Sequence, residues 1–163
     1  MRLVLILCGA ATLALAQQPA EKTFTGAADV KTMIAKAKNE RKPDQPNFVQ
    51  PLLLADPYKV NLEYRVHGVD SNPNVHEAEA EIFYVIEGGG TLTTGGKLVN
   101  EKRLNPTNLT GTAIDGGSAR TIAKGDFFLV PENTAHWFTK TDGTLVIMSV
   151  HVPRGGASAS ASK

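Results

Sequence analysis

The sequence predicts an all-β fold, one small β-barrel with metal-ligating groups inside it, and three observations carry that prediction. The stretch Gly68–Gly88, GVDSNPNVHEAEAEIFYVIEG, sets a His and a Glu between bracketing glycines and reads as strand, turn, strand. A second stretch, Gly125–Lys140, GDFFLVPENTAHWFTK, repeats that arrangement around another His. Around both lie short runs of alternating apolar and polar residues separated by Gly, Pro and Asn, the pattern of a sandwich or barrel.

Composition sets the bounds. A chain of 163 residues has room for one domain and one sizeable core. Its 17 Lys and Arg against 16 Asp and Glu supply no field that would favour nucleic acid or an acidic membrane surface. The 15 glycines and nine prolines suit a turn-rich β fold. No internal repeat is present.

Residues 1–16 read as a signal peptide: Arg2 is the positive end, Leu3 to Leu15 the apolar run, and Ala14-Leu15-Ala16 the cleavage site. An apolar run of this length is too short to span a bilayer comfortably. The expected mature chain starts at Gln17 and is secreted or periplasmic. Cys8 is the only cysteine, so that mature chain would have neither a disulfide nor a thiolate ligand.

Residues 17–47 form a leader and a short helix. Within Ala27 to Glu40, Val30, Met33, Ile34 and Ala37 fall on one face, and Asp29 occupies the first turn. Lys38 and Arg41 lie at the other end, and Pro43 and Pro46 close the segment. This helix is expected against the outside of the barrel or a partner subunit.

The barrel itself is assigned to 48–154. Phe48 to Leu54 and Tyr58 to Val66 come first; in the second, Val60, Leu62, Tyr64 and Val66 alternate with Asn61, Glu63 and Arg65, as in a half-buried strand. Glu81 to Ile86, Gly90 to Thr94 and Lys97 to Arg103 follow, split by glycines. Asn105 to Gly111 reads as a loop carrying the sequon Asn108-Leu109-Thr110. Short strands at Thr112 to Ile114, Ala119 to Ile122, Asp126 to Val130, His136 to Phe138 and Leu145 to Val152 complete the pattern, and 155–163 is expected to be a disordered tail.

At this point the chain resembles the cupins. Gly68, His76, Glu81 and Gly88 fall in register with the first cupin motif, with Asn74 at its first His position. Gly125, Pro131 and His136 match the second motif; Asn133 replaces its glycine and Lys140 its terminal asparagine. The resemblance spans Phe48 to Arg154 and implies a single-domain cupin barrel of the double-sheet jelly-roll type. It also implies a divalent metal (Fe, Mn, Zn, Ni or Cu) held by His76, Glu81 and His136, with Asn74 as a weaker oxygen donor. Two imidazoles and one carboxylate match the facial triad of non-haem iron enzymes without selecting iron.

Glu81, the one anion of that set, is also the candidate catalytic residue. Glu77 and Glu79 read as a solvated rim, and His67 and His151 as ordinary surface or hydrogen-bonded histidines. Strand parity turns Phe83, Val85 and Phe138 inward as a mostly apolar pocket for a small molecule. Trp137 is turned the other way, to a sheet or subunit contact that would make a homodimer. No nucleophile elbow, phosphate loop, dinucleotide fingerprint or zinc-protease motif is present. The expected function is a metal-dependent oxygenase, isomerase or lyase acting on a small organic compound; the alternative is a non-catalytic cupin that captures a metal or small ligand.

Overall fold

The structure is a computed structural model and describes residues 20–154. The expected signal peptide, its Cys8, the start of the leader and the 155–163 tail lie outside the described residues. One helix, α1 (Ala27–Glu40), precedes eleven strands. They are β1 (Phe48–Ala55), β2 (Tyr58–Val66), β3 (Asn74–His76), β4 (Glu79–Thr94), β5 (Lys97–Val99) and β6 (Lys102–Asn105). β7 (Asn108–Thr110), β8 (Ala113–Asp115), β9 (Ser118–Ala123), β10 (Phe127–Val130) and β11 (His136–Pro153) complete the order.

Two long strands organise the barrel. β4 and β11 run antiparallel along most of their length, from Glu79 opposite Pro153 to Thr94 opposite His136. The second half of β11 carries β2 and then β1 on its other side, while the first half of β4 carries β10. The first half of β11 meets β3, which continues to β7 and β6, and the second half of β4 carries β9. Each long strand therefore serves both walls of the barrel.

The glycines between Gly88 and Gly90 do not end β4, contrary to the sequence expectation of two strands. A Cβ at Gly88, whose φ is +76°, would lie 1.7 Å from Thr144 O. A Cβ at Gly90 would lie 2.2 Å from Lys140 O. These positions let β4 bend against β11, which shifts register between Phe138 and Lys140 and again between Thr141 and Leu145. Likewise β11 is one strand rather than two. Asn133, standing where the second motif has glycine, takes φ +59°, a turn conformation that Asn tolerates.

β2 is buried on both faces, which alternation alone did not reveal. Its apolar row, with Leu62 and Tyr64 at the centre, packs under Val30, Met33, Ile34 and Ala37 of α1. Leu62 and Val146 have no exposure there, and burial of each stabilises by about 1.5–3 kcal/mol. The helix thus lies on the outside of the barrel, anchored further by Gln50 Nε2 donating to Met33 O at 2.8 Å. The polar row of β2, Asn61, Glu63 and Arg65, faces inward and lines a cavity. A second core of Phe83, Val85, Leu92, Ile122, Leu145 and Ile147, with Val130 and Phe138, fills the interior beside that cavity.

Three expectations change in detail. The segment read as the loop Asn105 to Gly111 contains β7, which completes the wall next to β3. Trp137, half-buried, donates from Nε1 to Ser71 O at 2.5 Å and so holds the chain's own Gly68–Pro73 loop. Val85 is fully buried in the core and does not line the cavity, because it lies one inward step beyond Phe83, where Leu145 and Ile147 close the interior. Among the described residues, no helix is long and apolar enough to cross a membrane.

Candidate metal centre

The cavity measures about 280 Å³ and is lined on one side by Asn74, His76, Glu81, Phe83, His136 and Phe138. Each polar group arrives from a different part of the fold. His76 ends β3, Glu81 sits near the start of β4, and His136 opens β11. Asn74 and Thr94 flank His136 across the sheet, so β3 and the end of β4 fix the start of β11.

Ligand atoms of His76, Glu81 and His136 lie mutually within 4.8 Å, close enough to share one metal ion. Glu81 Oε2 is 3.3 Å from His76 Nε2 and 3.1 Å from His136 Nε2. These contacts attract strongly, yet Oε2 is buried and has no aligned hydrogen-bond partner. A buried, unbonded carboxylate oxygen facing two imidazole nitrogens is the arrangement a cation would complete, so the donor set fits a divalent metal.

The imidazole orientations have identifiable causes. His76 Nδ1 donates to Asn108 Oδ1 at 2.7 Å, which turns Nε2 towards Glu81. Asn108 was legible only as part of a sequon; its half-buried side chain is instead committed to His76. His136 Nδ1 faces Thr134 O at 3.5 Å, too long for a firm bond. His136 is held instead by burial, with Phe83 at a ring separation of 6.1 Å.

His151 is hydrogen-bonded, one of the two outcomes the sequence allowed, and its place is inside the candidate centre. It lies directly across the β4–β11 ladder from Glu81 and lines the same cavity. Its Nδ1 donates to Glu79 Oε1 at 2.8 Å, and its Nε2 is 3.3 Å from Glu81 Oε1. Glu79 is therefore half-buried and engaged rather than a solvated rim, because it opens the β4 ladder and does not belong to the preceding loop. The sequence carried one signal for this, the inward parity of His151 with Ile147 and Ser149, but not the register that sets it opposite Glu81.

The other candidates fall outside the cluster. Glu77 pairs with Arg103 at 2.6 Å on the surface. His67, exposed, contacts Thr141 O, and Lys140 pairs with Asp142. Asn74 lines the cavity, with its Nδ2 3.4 Å from Asn72 O.

Charge in the cluster follows from these contacts. Burial opposes ionisation of Glu81, but His136 and His76 outweigh it and hold the carboxyl far below the usual carboxylate range. Burial also opposes a proton on His76; contact with Glu81, the bond to Asn108 and the charge of Glu79 outweigh it and raise its pKa from 6.5 to about 9. His151 is raised as well, against burial, by its bond to Glu79 and the charge of Glu81.

No protein-family model matches the chain. No curated protein matches it either. Solved structures do. The chain is similar to KdgF from Halomonas sp. at a TM-score of 0.51 and 16% identity, over 71% of this chain and 85% of that one. It is similar to BH2720 from Bacillus halodurans at a TM-score of 0.54 and 18% identity, over 82% and 83%. A third, TT1209 from Thermus thermophilus, gives 0.50 and 16%, over 69% and 88%. Identities this low speak for the fold alone. With two glycine-bracketed motifs on the two long shared strands and these neighbours around it, the chain has the cupin fold.

Proposed function

We propose that this protein holds a divalent metal through His76, Glu81 and His136 and acts there on a small organic compound. The carrying observation is Glu81 Oε2, buried without a hydrogen bond and facing both imidazole Nε2 atoms. Two imidazoles and a carboxylate suit iron, nickel, copper or zinc better than magnesium or calcium. A bound metal of this kind would supply Lewis-acid polarisation of a substrate oxygen, the chemistry common to oxygenase, isomerase and lyase reactions.

The chain's own residues do the rest. Asn108 fixes the ring of His76, so that loss of its Nε2 proton presents a lone pair to the centre. Glu81 is anionic at neutral pH and offsets the incoming charge. Phe83 and Phe138, in edge contact at 5.6 Å, form an apolar side of the cavity that limits water. Asn74 lines the wall beside the set as a weaker oxygen donor.

Competition titration with zinc or iron tests the reading. Wild type should bind, His136→Ala should lose nearly all affinity, and Asn74→Ala should lose only part of it. Equal affinity in wild type and His136→Ala would refute the assignment. Activity is tested separately: Glu81→Gln should abolish turnover, whereas a carrier would retain ligand capture after chelation. Export belongs to the same reading, and N-terminal sequencing of the native protein should begin at Gln17; a chain beginning at Met1 would refute it.

A further inference from the structure

The part of the cavity lined by β2, in the same sheet as Glu81 and His151, is polar, largely buried and incompletely satisfied. It is built from the inward row of β2 with Asn47, just before β1. Arg65 is fixed there on two sides. Its Nη2 donates to Glu63 Oε2 at 2.7 Å, and its Cζ lies 4.4 Å above the ring of Phe138. Stacking and a single ion pair hold the guanidinium plane in place as a preorganised donor.

That ion pair leaves capacity unspent. Glu63 Oε2 also accepts from Asn47 Nδ2 at 2.7 Å, so one oxygen serves two donors. Arg65 Nε is buried with no partner, and Asn47 Oδ1 is buried with none. Nη1 of Arg65 makes no hydrogen bond among the described residues. Of the four unsatisfied buried side-chain atoms among the described residues, three belong to Asn47, Arg65 and Glu81, which all line this one cavity. A barrel needing only a stable interior would place apolar residues on this row, as it does on the opposite face of β2, because each orphaned polar group costs about 1–3 kcal/mol.

We infer that the ligand of this cavity is a small organic acid, its carboxylate held by Arg65. A carboxylate matches the guanidinium in charge, and Nη1 is free to meet it while Glu63 and the ring of Phe138 hold the plane in place. A cavity of about 280 Å³ has room for a small acid. This deepens the metal reading and rests on it for the use of the acid's other end, but the Arg65 contact stands on the protein alone.

Calorimetric titration with lactate, malate and gluconate, each against its neutral amide, tests the inference on zinc-loaded protein. At least one acid should bind about tenfold or more tighter than its amide. Arg65→Met should erase that preference. Glu63→Gln, which releases the guanidinium from its competitor, should strengthen acid binding; a purely structural ion pair would give the opposite sign. Should Arg65→Met fail to fold, Glu63→Gln/Arg65→Met removes both charges together and should bind acid and amide alike.

Chelation of zinc from wild type should weaken the acid yet preserve its advantage over the amide. An advantage that survives loss of Arg65, or disappears with zinc while Arg65 is intact, assigns the carboxylate to the metal and overturns the inference. A panel in which no acid outbinds its amide overturns it too. Failure of wild type to take up zinc counts against the metal reading instead, and the acid–amide comparison on the metal-free protein still decides the role of Arg65.

Discussion

Replacing Glu81 by Gln keeps the shape of the side chain and removes the charge at the centre of the cluster. In the metal-free protein the first consequence falls on His76, whose pKa is raised from 6.5 to about 9 with Glu81 as the chief raising partner. The difference of 2.5 between those two values corresponds to about 3 kcal/mol favouring the charged imidazole. Without Glu81, burial lowers His76 while only Asn108 and Glu79 remain to raise it, so its pKa should fall from about 9. The sign for stability follows. His76, raised, contributes fully below pH 6.5 and loses that contribution as pH climbs to about 9. Glu81, lowered, contributes above 4.5 and loses its contribution as pH falls below that value. Metal-free wild type should therefore gain most over Glu81→Gln between about pH 4.5 and 6.5, and that gain should shrink towards pH 9. The assay is an NMR titration of the His76 ring beside urea unfolding at several pH values. An unchanged His76 titration in Glu81→Gln, or a gain that grows between pH 6.5 and 9, would mean that Glu81 does not hold the His76 proton.

Other outcomes follow from the same geometry. Metal binding must displace the His76 proton, so affinity should rise with pH up to about 9 with proton release, measurable by calorimetry in buffers of different ionisation enthalpy. Asn108→Ala, which never touches the metal, should cost about 10- to 100-fold in metal affinity because His76 loses its orienting bond. Gly88→Ala should destabilise by at least about 2 kcal/mol in denaturant unfolding, since an L side chain is strained at this φ and its Cβ would run into Thr144 O.

Much of this was legible in the sequence because it is local. The α1 bounds followed from apolar spacing and flanking prolines, and His76, Glu81 and His136 from two motifs whose glycines set the turns. What was hidden depends on which strands meet. The polar row of β2 reads as a solvent face until α1 is seen to occupy the other side, which turns Glu63 and Arg65 into the barrel. His151 reads as a lone histidine until the β4–β11 register sets it opposite Glu81. Asn108 gains its role only through the pairing of β7 with β3. The glycines from Gly88 to Gly90 read as a strand break, although their missing side chains are what let β4 continue past β11.

The central claim is that His76, Glu81 and His136 share a metal, and anomalous diffraction from crystals of protein purified without chelators tests it most directly. A single strong peak is expected among His76 Nε2, His136 Nε2 and Glu81 Oε2, at roughly 2.0–2.2 Å from each, absent in His136→Ala crystals. A cavity without a peak after incubation with zinc and iron, or a peak that persists in His136→Ala, would contradict it.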